Sequence, residues 1–139
     1  MPTGARRPTM SEKKYVLDAS ALLAVMLGET GGEAVHAVLA QAQIGAVNLS
    51  EVVAKLQERG VPDDIIDLSL ADLDLSVVPF DRNQAVCAGK LRAATRSAGL
   101  SLGDRACLAT AAELGAVAIT TDQAWARLSV DIEIELARN

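Results

Sequence analysis

The side chains of this chain that could do chemistry are its carboxylates. It has one histidine, His36, and two cysteines, Cys87 and Cys107. A histidine-pair ribonuclease and a histidine-rich zinc site therefore cannot be assembled, and the sequence offers no histidine-supported serine or cysteine nucleophile. His36 lies in the apolar-periodic stretch Glu33 to Ala40 and reads as a helix-surface residue. The cysteines fall inside helical patterns, which suits buried free thiols in a reducing compartment better than a disulfide. Four acids stand out by position: Asp18, directly after Val16 and Leu17, then Glu51, Asp104 and Asp122. If they converge, like charges about 4 Å apart repel by roughly 4 kcal/mol at an effective dielectric of about 20. Either a proton or a divalent cation must then relieve them. Oxygen-only donors select Mg²⁺ or Mn²⁺ over zinc. Such an ion serves phosphate chemistry, polarising a phosphoryl oxygen, activating a water and stabilising the leaving alkoxide, with no covalent nucleophile needed.

Whether the four meet depends on the elements that carry them. Tyr15 to Asp18 is a short apolar run, followed by a helix from Ser20 to Leu27 that Gly28 stops. A helix over Gly32 to Gln41 leads to a strand near Ile44 to Val47, after which Asn48 or Ser50 can cap a helix reaching Arg59. Pro62, with Asp63 and Asp64 behind it, starts a helix to about Ala71. Ser76 to Phe80 is a β-branched strand, and Asp81 caps a long helix ending near Ser97 and Gly99. Ser101 opens the helix Leu102 to Leu114, closed by Gly115. Val117 to Thr120 is a buried strand, Gln123 to Leu128 a short helix, and Val130 to Leu136 a last strand with one wet face. Strands alternating with helices predict an α/β domain with a mostly parallel sheet.

In that topology Asp18 and Asp122 follow strand ends, while Glu51 and Asp104 open helices that leave the same edge. All four reach the rim where open α/β sheets bind ligands. Singly, each acid has a plainer use: Asp18 as a cap, Glu51 and Asp104 as helix-dipole partners, Asp122 as a turn residue. Only the shared rim argues for a site. Asp63, Asp64, Asp67, Asp72 and Asp74 read as a solvated helix and its exit.

The strings YVLDASALLAVMLGE, AVNLSEVVAKL, VVPFD, LSLGDRACLATAAELG and ITTDQAWARL, taken in order, resemble the PIN-domain ribonucleases, specifically the VapC-like toxins of type II toxin–antitoxin systems. The resemblance runs from Tyr15 to the C-terminus. It implies a three-layer α/β/α fold with a five-stranded parallel sheet in the order 3-2-1-4-5. It also implies Mg²⁺- or Mn²⁺-dependent hydrolysis of RNA, with the metal held chiefly by Asp18 and Asp104, and Glu51 and Asp122 completing the catalytic set. Ser20 and Thr120 match small hydroxyl positions near that site. A cognate VapB-like antitoxin is implied as inhibitor, docking on apolar Leu22, Leu23 and Met26 and the helix Glu51 to Arg59. A homodimer or a toxin–antitoxin hetero-oligomer follows from the same likeness.

The composition bounds these readings. At 139 residues with 50% hydrophobic side chains, the chain makes one domain with a real core and no need of a staple. Residues 1–14, with two prolines and no apolar periodicity, read as a flexible leader before a domain over 15–139, and Met10 as an alternative start. The net charge is −5. The leader holds four basic residues and one acid, so the remainder carries 9 basic against 17 acidic side chains, a net charge of −8. That speaks against a partner attracted by long-range positive charge. With aromatics at 2%, there is no stacking platform for bases. RNA contacts are therefore expected from Arg82, Lys90, Arg92, Arg96, Arg105 and Arg127, with Arg92 and Arg96 forming a stripe on one helix. The apolar run Ala21 to Leu27 is too short to cross a membrane, and a cytoplasmic protein is expected. Two other classes compete. A receiver-like phospho-acceptor module would use Asp18 and Thr120, but no lysine follows Lys90 to contact the phosphate. A non-catalytic binding scaffold would hold RNA without cutting it.

Overall fold

The order of buried and exposed residues along each strand explains the layers. In the computed structural model, which describes residues 13–138, β1 (Tyr15–Leu17) and β4 (Val117–Thr120) are buried throughout, as central strands of a parallel sheet must be. Outside them lie β2 (Ala42–Gly45), then β3 (Ser76–Val78) on one edge and β5 (Ile134–Leu136) on the other. The order is β3-β2-β1-β4-β5 and every pairing is parallel, with Leu17 opposite Ile44 on one side and Ile119 on the other. This is the five-stranded 3-2-1-4-5 sheet expected from the resemblance.

Alternation along β1 divides the core. Tyr15 and Leu17 join Ile44, Val117 and Ile119 beneath α1 (Ala19–Leu27), α2 (Gly32–His36), α3 (Ala46–Glu58) and α4 (Asp63–Leu73). Val16 and Ala118 face the other way, against Cys107, Leu108 and Ala111 of α7 (Leu102–Leu114) and the fully buried Trp125. Packed on α7 is α5 (Arg82–Lys90), pinned by a buried amide: Gln84 Nε2 donates to Glu113 at 2.8 Å, and the Thr110 hydroxyl donates to Gln84 Oε1 at 2.9 Å. Gly28 and Gly115 stop α1 and α7 as the sequence predicts, in the left-handed region at φ 66° and 60°. His36 is exposed, and Cys87 and Cys107 are free thiols.

Several boundaries differ from expectation. The Gly32–Gln41 helix ends at His36, and a 3₁₀ turn over Leu39–Gln41 makes the corner into β2. Accordingly β2 begins and ends about two residues early, and α3 starts at Ala46 after an extended Gly45, so neither Asn48 nor Ser50 is its cap. The long helix after Asp81 breaks at Leu91 into α5, α6 (Arg92–Thr95) and a 3₁₀ turn over Arg96–Ala98. There the buried Thr95 hydroxyl donates back to the Leu91 carbonyl at 2.8 Å, which competes with regular helix. The last strand shrinks to Ile134–Leu136, and Gln123–Arg127 is 3₁₀. Up to residue 12, the expected leader lies outside the described residues; Lys13 pairs with Glu133 at 3.2 Å. Among the described residues no helix is long and apolar enough to cross a membrane.

Candidate active site at the acidic rim

Asp18 is set by the point where β1 ends. Its backbone N–H still donates to Ile119 across the sheet at 3.2 Å, while its side chain caps α1, with Oδ1 accepting from Ala21 N–H at 2.8 Å. Oδ1 also accepts from the Ser20 hydroxyl at 2.7 Å, and Oδ2 accepts from the Thr120 hydroxyl at 2.5 Å. Only 3% of the residue is exposed. Burial pushes its carboxyl up to about 6, against the three hydrogen bonds that favour the anion, and the charge of Asp104 adds to the rise. Asp18 is therefore a cap that is also a desolvated acid, two readings that looked exclusive in the sequence.

The hydroxyls are organised around it. Ser20 Oγ accepts from Thr121 N–H at 3.0 Å and stands 3.2 Å from Thr120 Oγ1, which in turn accepts from Asp122 N–H at 3.0 Å. Both small residues implied by the resemblance thus orient the Asp18 carboxylate and tie β4's exit to α1.

Glu51, half-buried on α3, accepts from Asn48 Nδ2 at 3.0 Å. Burial raises its carboxyl above the ordinary value, and Asp104 adds to this; the Asn48 hydrogen bond and Lys55 oppose it. Asp104 occupies the third position of α7 in a capping box, accepting from Ser101 N–H at 3.1 Å while its own N–H donates to the Ser101 hydroxyl at 3.2 Å. Beneath these lies Cys107, fully buried, whose thiol is held far above its ordinary range by burial and then by Asp18, Asp104 and Glu51.

Asp122 stands apart. It is exposed, its Oδ1 caps the 3₁₀ turn through Ala124 N–H at 3.0 Å, and its link to Asp18 runs through its backbone N–H and Thr120. Among the described residues no group of three or more His, Cys, Asp or Glu side chains stands in metal-holding geometry. The donor set nevertheless fits a hard divalent cation in kind: three carboxylates, desolvated or half-buried, with no nitrogen or sulfur ligand competing. Asp104 and Asp122 each engage one oxygen in a helix cap.

Two of the expected basic contacts change. Arg105 is half-buried and its Nη1 donates to the Ala88 carbonyl at 2.9 Å, which fastens α7 to α5 instead of facing solvent. The helix carrying Arg92 and Arg96 breaks between them, so they do not form a stripe. Arg82, Lys90, Arg92, Arg96 and Arg127 are exposed. Leu22 and Leu23 are core rather than docking surface. Met26 instead lines an apolar groove of about 420 Å³ with Val25, Leu56, Val61, Ile65 and Leu73, between α1, α3 and α4. Sequence reasoning missed Asn48 and Gly103 as site residues. A Cβ on Gly103 would run into the Glu51 carboxylate. An amide three residues before Glu51 was the available signal, since that spacing shares a helix face.

Comparison with known proteins identifies a domain family and similar folds. The PIN domain model matches residues 15–131. No curated protein matches the chain. Among solved structures, a DNA-bound VapBC from Salmonella typhimurium is similar, with 19% identity and a TM-score of 0.68 over 88% of this chain and 97% of that one. VapC20 of Mycobacterium tuberculosis, described as a sarcin-ricin loop cleaving toxin, gives 16%, 0.67, 86% and 99%. VapBC-5 of Mycobacterium tuberculosis, described as a member of a family of toxin–antitoxin systems, gives 25%, 0.60, 91% and 98%.

Proposed function

Since the chain belongs to the PIN-domain family, we propose that it is a Mg²⁺- or Mn²⁺-dependent endoribonuclease toxin, neutralised by a cognate VapB-like antitoxin. The observation that carries this reading is the buried Asp18 carboxylate held by three donors at the carboxyl edge of the sheet, with Asn48 joining Glu51 to the first turn of α7, which carries Asp104.

Asp18 and Asp104 would hold the metal, with Glu51 and Asp122 completing its shell. When bound, the ion supplies Lewis acidity toward a phosphoryl oxygen and a water activated at neutral pH. Ser20 and Thr120 keep the Asp18 carboxylate from turning, which would present its oxygens to a bound ion in one orientation. The exposed Arg82, Lys90, Arg92, Arg96 and Arg127 are available to phosphates flanking the cut. A receiver-like role is disfavoured, because no lysine follows Lys90 to contact a phosphate.

The test is cleavage of a structured RNA with and without Mg²⁺ or Mn²⁺. Activity should require the ion and vanish in Asp18→Asn and Asp104→Asn, with circular dichroism unchanged. Cutting that persists in either folded variant, or in excess chelator, would sink the reading.

A further inference from the structure

Asn48 is a polar residue buried to 1% exposure, one turn before Glu51 on α3. Its Nδ2 donates to Glu51 Oε1 and to the Gly103 carbonyl, each at 3.0 Å. The two protons of one amide therefore join the Glu51 carboxylate to the first turn of α7, next to Asp104. Turning the amide over would set its oxygen against two acceptors, so this orientation is fixed. The remaining atom, Oδ1, is buried without a hydrogen-bond partner and stands toward Gly45, where a Cβ would lie 3.4 Å from it. An orphaned acceptor costs stability that an apolar side chain of the same size would not. Packing alone thus does not account for an amide here. Gly103 completes the fit, because any side chain at that position would displace the carboxylate that Asn48 holds.

We infer that Asn48 is a positioning residue of the acidic site, holding the Glu51 carboxylate against the first turn of α7 so that it faces the cation shared with Asp18 and Asp104. This rests on the metal-site reading proposed above, and its test separates the two. Mn²⁺ is titrated into the metal-free full-length chain, and the free ion is followed by electron paramagnetic resonance, with no RNA present. Glu51→Gln and Asn48→Leu should each weaken Mn²⁺ binding roughly ten-fold, the usual scale for groups that orient metal ligands. In the Glu51→Gln background, Asn48→Leu should add less than about two-fold, because the two act through one carboxylate. Multiplying losses in the double variant, or unchanged Mn²⁺ affinity in Asn48→Leu, overturns the inference while leaving the metal site intact. Unchanged affinity in Glu51→Gln overturns Glu51 as a ligand and the inference with it. If Asn48→Leu does not fold, Asn48→Ser, which removes the amide with less volume change, carries the same expectations.

Discussion

Asp18 is the residue whose chemistry and structural duty conflict most. Its carboxyl is raised from 3.8 to about 6 in the folded chain, so the native state binds this proton more tightly than the unfolded state. Stability therefore falls as pH rises between those values, and above pH 6 the buried anion costs at most about 3 kcal/mol, taking 1.36 kcal/mol per pH unit. Asp18→Asn should thus raise the melting temperature of the metal-free chain at pH 8, and the two melting curves should converge below pH 4. A variant that melts lower at pH 8 would mean the cap outweighs the burial. Thr120→Val removes the donor at 2.5 Å from Oδ2 without changing shape, and should cost about 1–3 kcal/mol at pH 8 by denaturant titration. Asp18, Glu51 and Asp104 were legible because acids sit badly beside apolar runs. Asp122 was legible as a rim residue only, since spacing does not say which way a carboxylate turns.

Among the elements, α7 has the most to hold: its first turn carries the capping box, the Asp104 carboxylate and the glycine against which Glu51 packs. Ser101→Ala should cost about 1 kcal/mol through loss of the cap, seen as a lower melting temperature with metal-dependent cleavage retained. Gly103→Ala should do the reverse, folding with nearly native helix content while cleavage falls by an order of magnitude or more, because its Cβ enters the Glu51 carboxylate. Strand and helix identities could be read from periodicity and from Gly28, Ser101 and Gly115. The break at Leu91 could not, because Thr95 is an ordinary helix residue until its hydroxyl is seen turned back on the chain. Nor could the early start of α3, where Asn48 has the composition of a cap and the position of a buried bridge.

For the whole molecule, the acidic rim lies toward the N-terminal ends of α1 and α3 and the apolar groove toward their C-terminal ends. The groove of about 420 Å³ between α1, α3 and α4 is away from the carboxylates and bordered by Asp72. If an antitoxin segment docks there, Met26→Asp should abolish inhibition in a pull-down and cleavage assay while leaving RNA hydrolysis by the free chain unchanged. Loss of hydrolysis as well would place the groove in the active machinery instead. The sheet order was open to prediction because parallel strands and right-handed crossovers leave few topologies. The groove was not, since it arises from how three helices meet: of the residues expected there Met26 and Leu56 lie in its wall, while Leu22 and Leu23 are buried in the core. The net charge of −5, which looked like an argument against RNA, is partly the unscreened charge of the rim, and bound cations would invert the local field. Beneath that rim, the Cys107 thiol is fully buried, and burial holds it well above its ordinary range. The molecule thus carries a native vibrational probe: the infrared S–H stretch of Cys107 should move on adding Mg²⁺ and stay still in Asp104→Asn, reporting occupancy of the site without label or substrate.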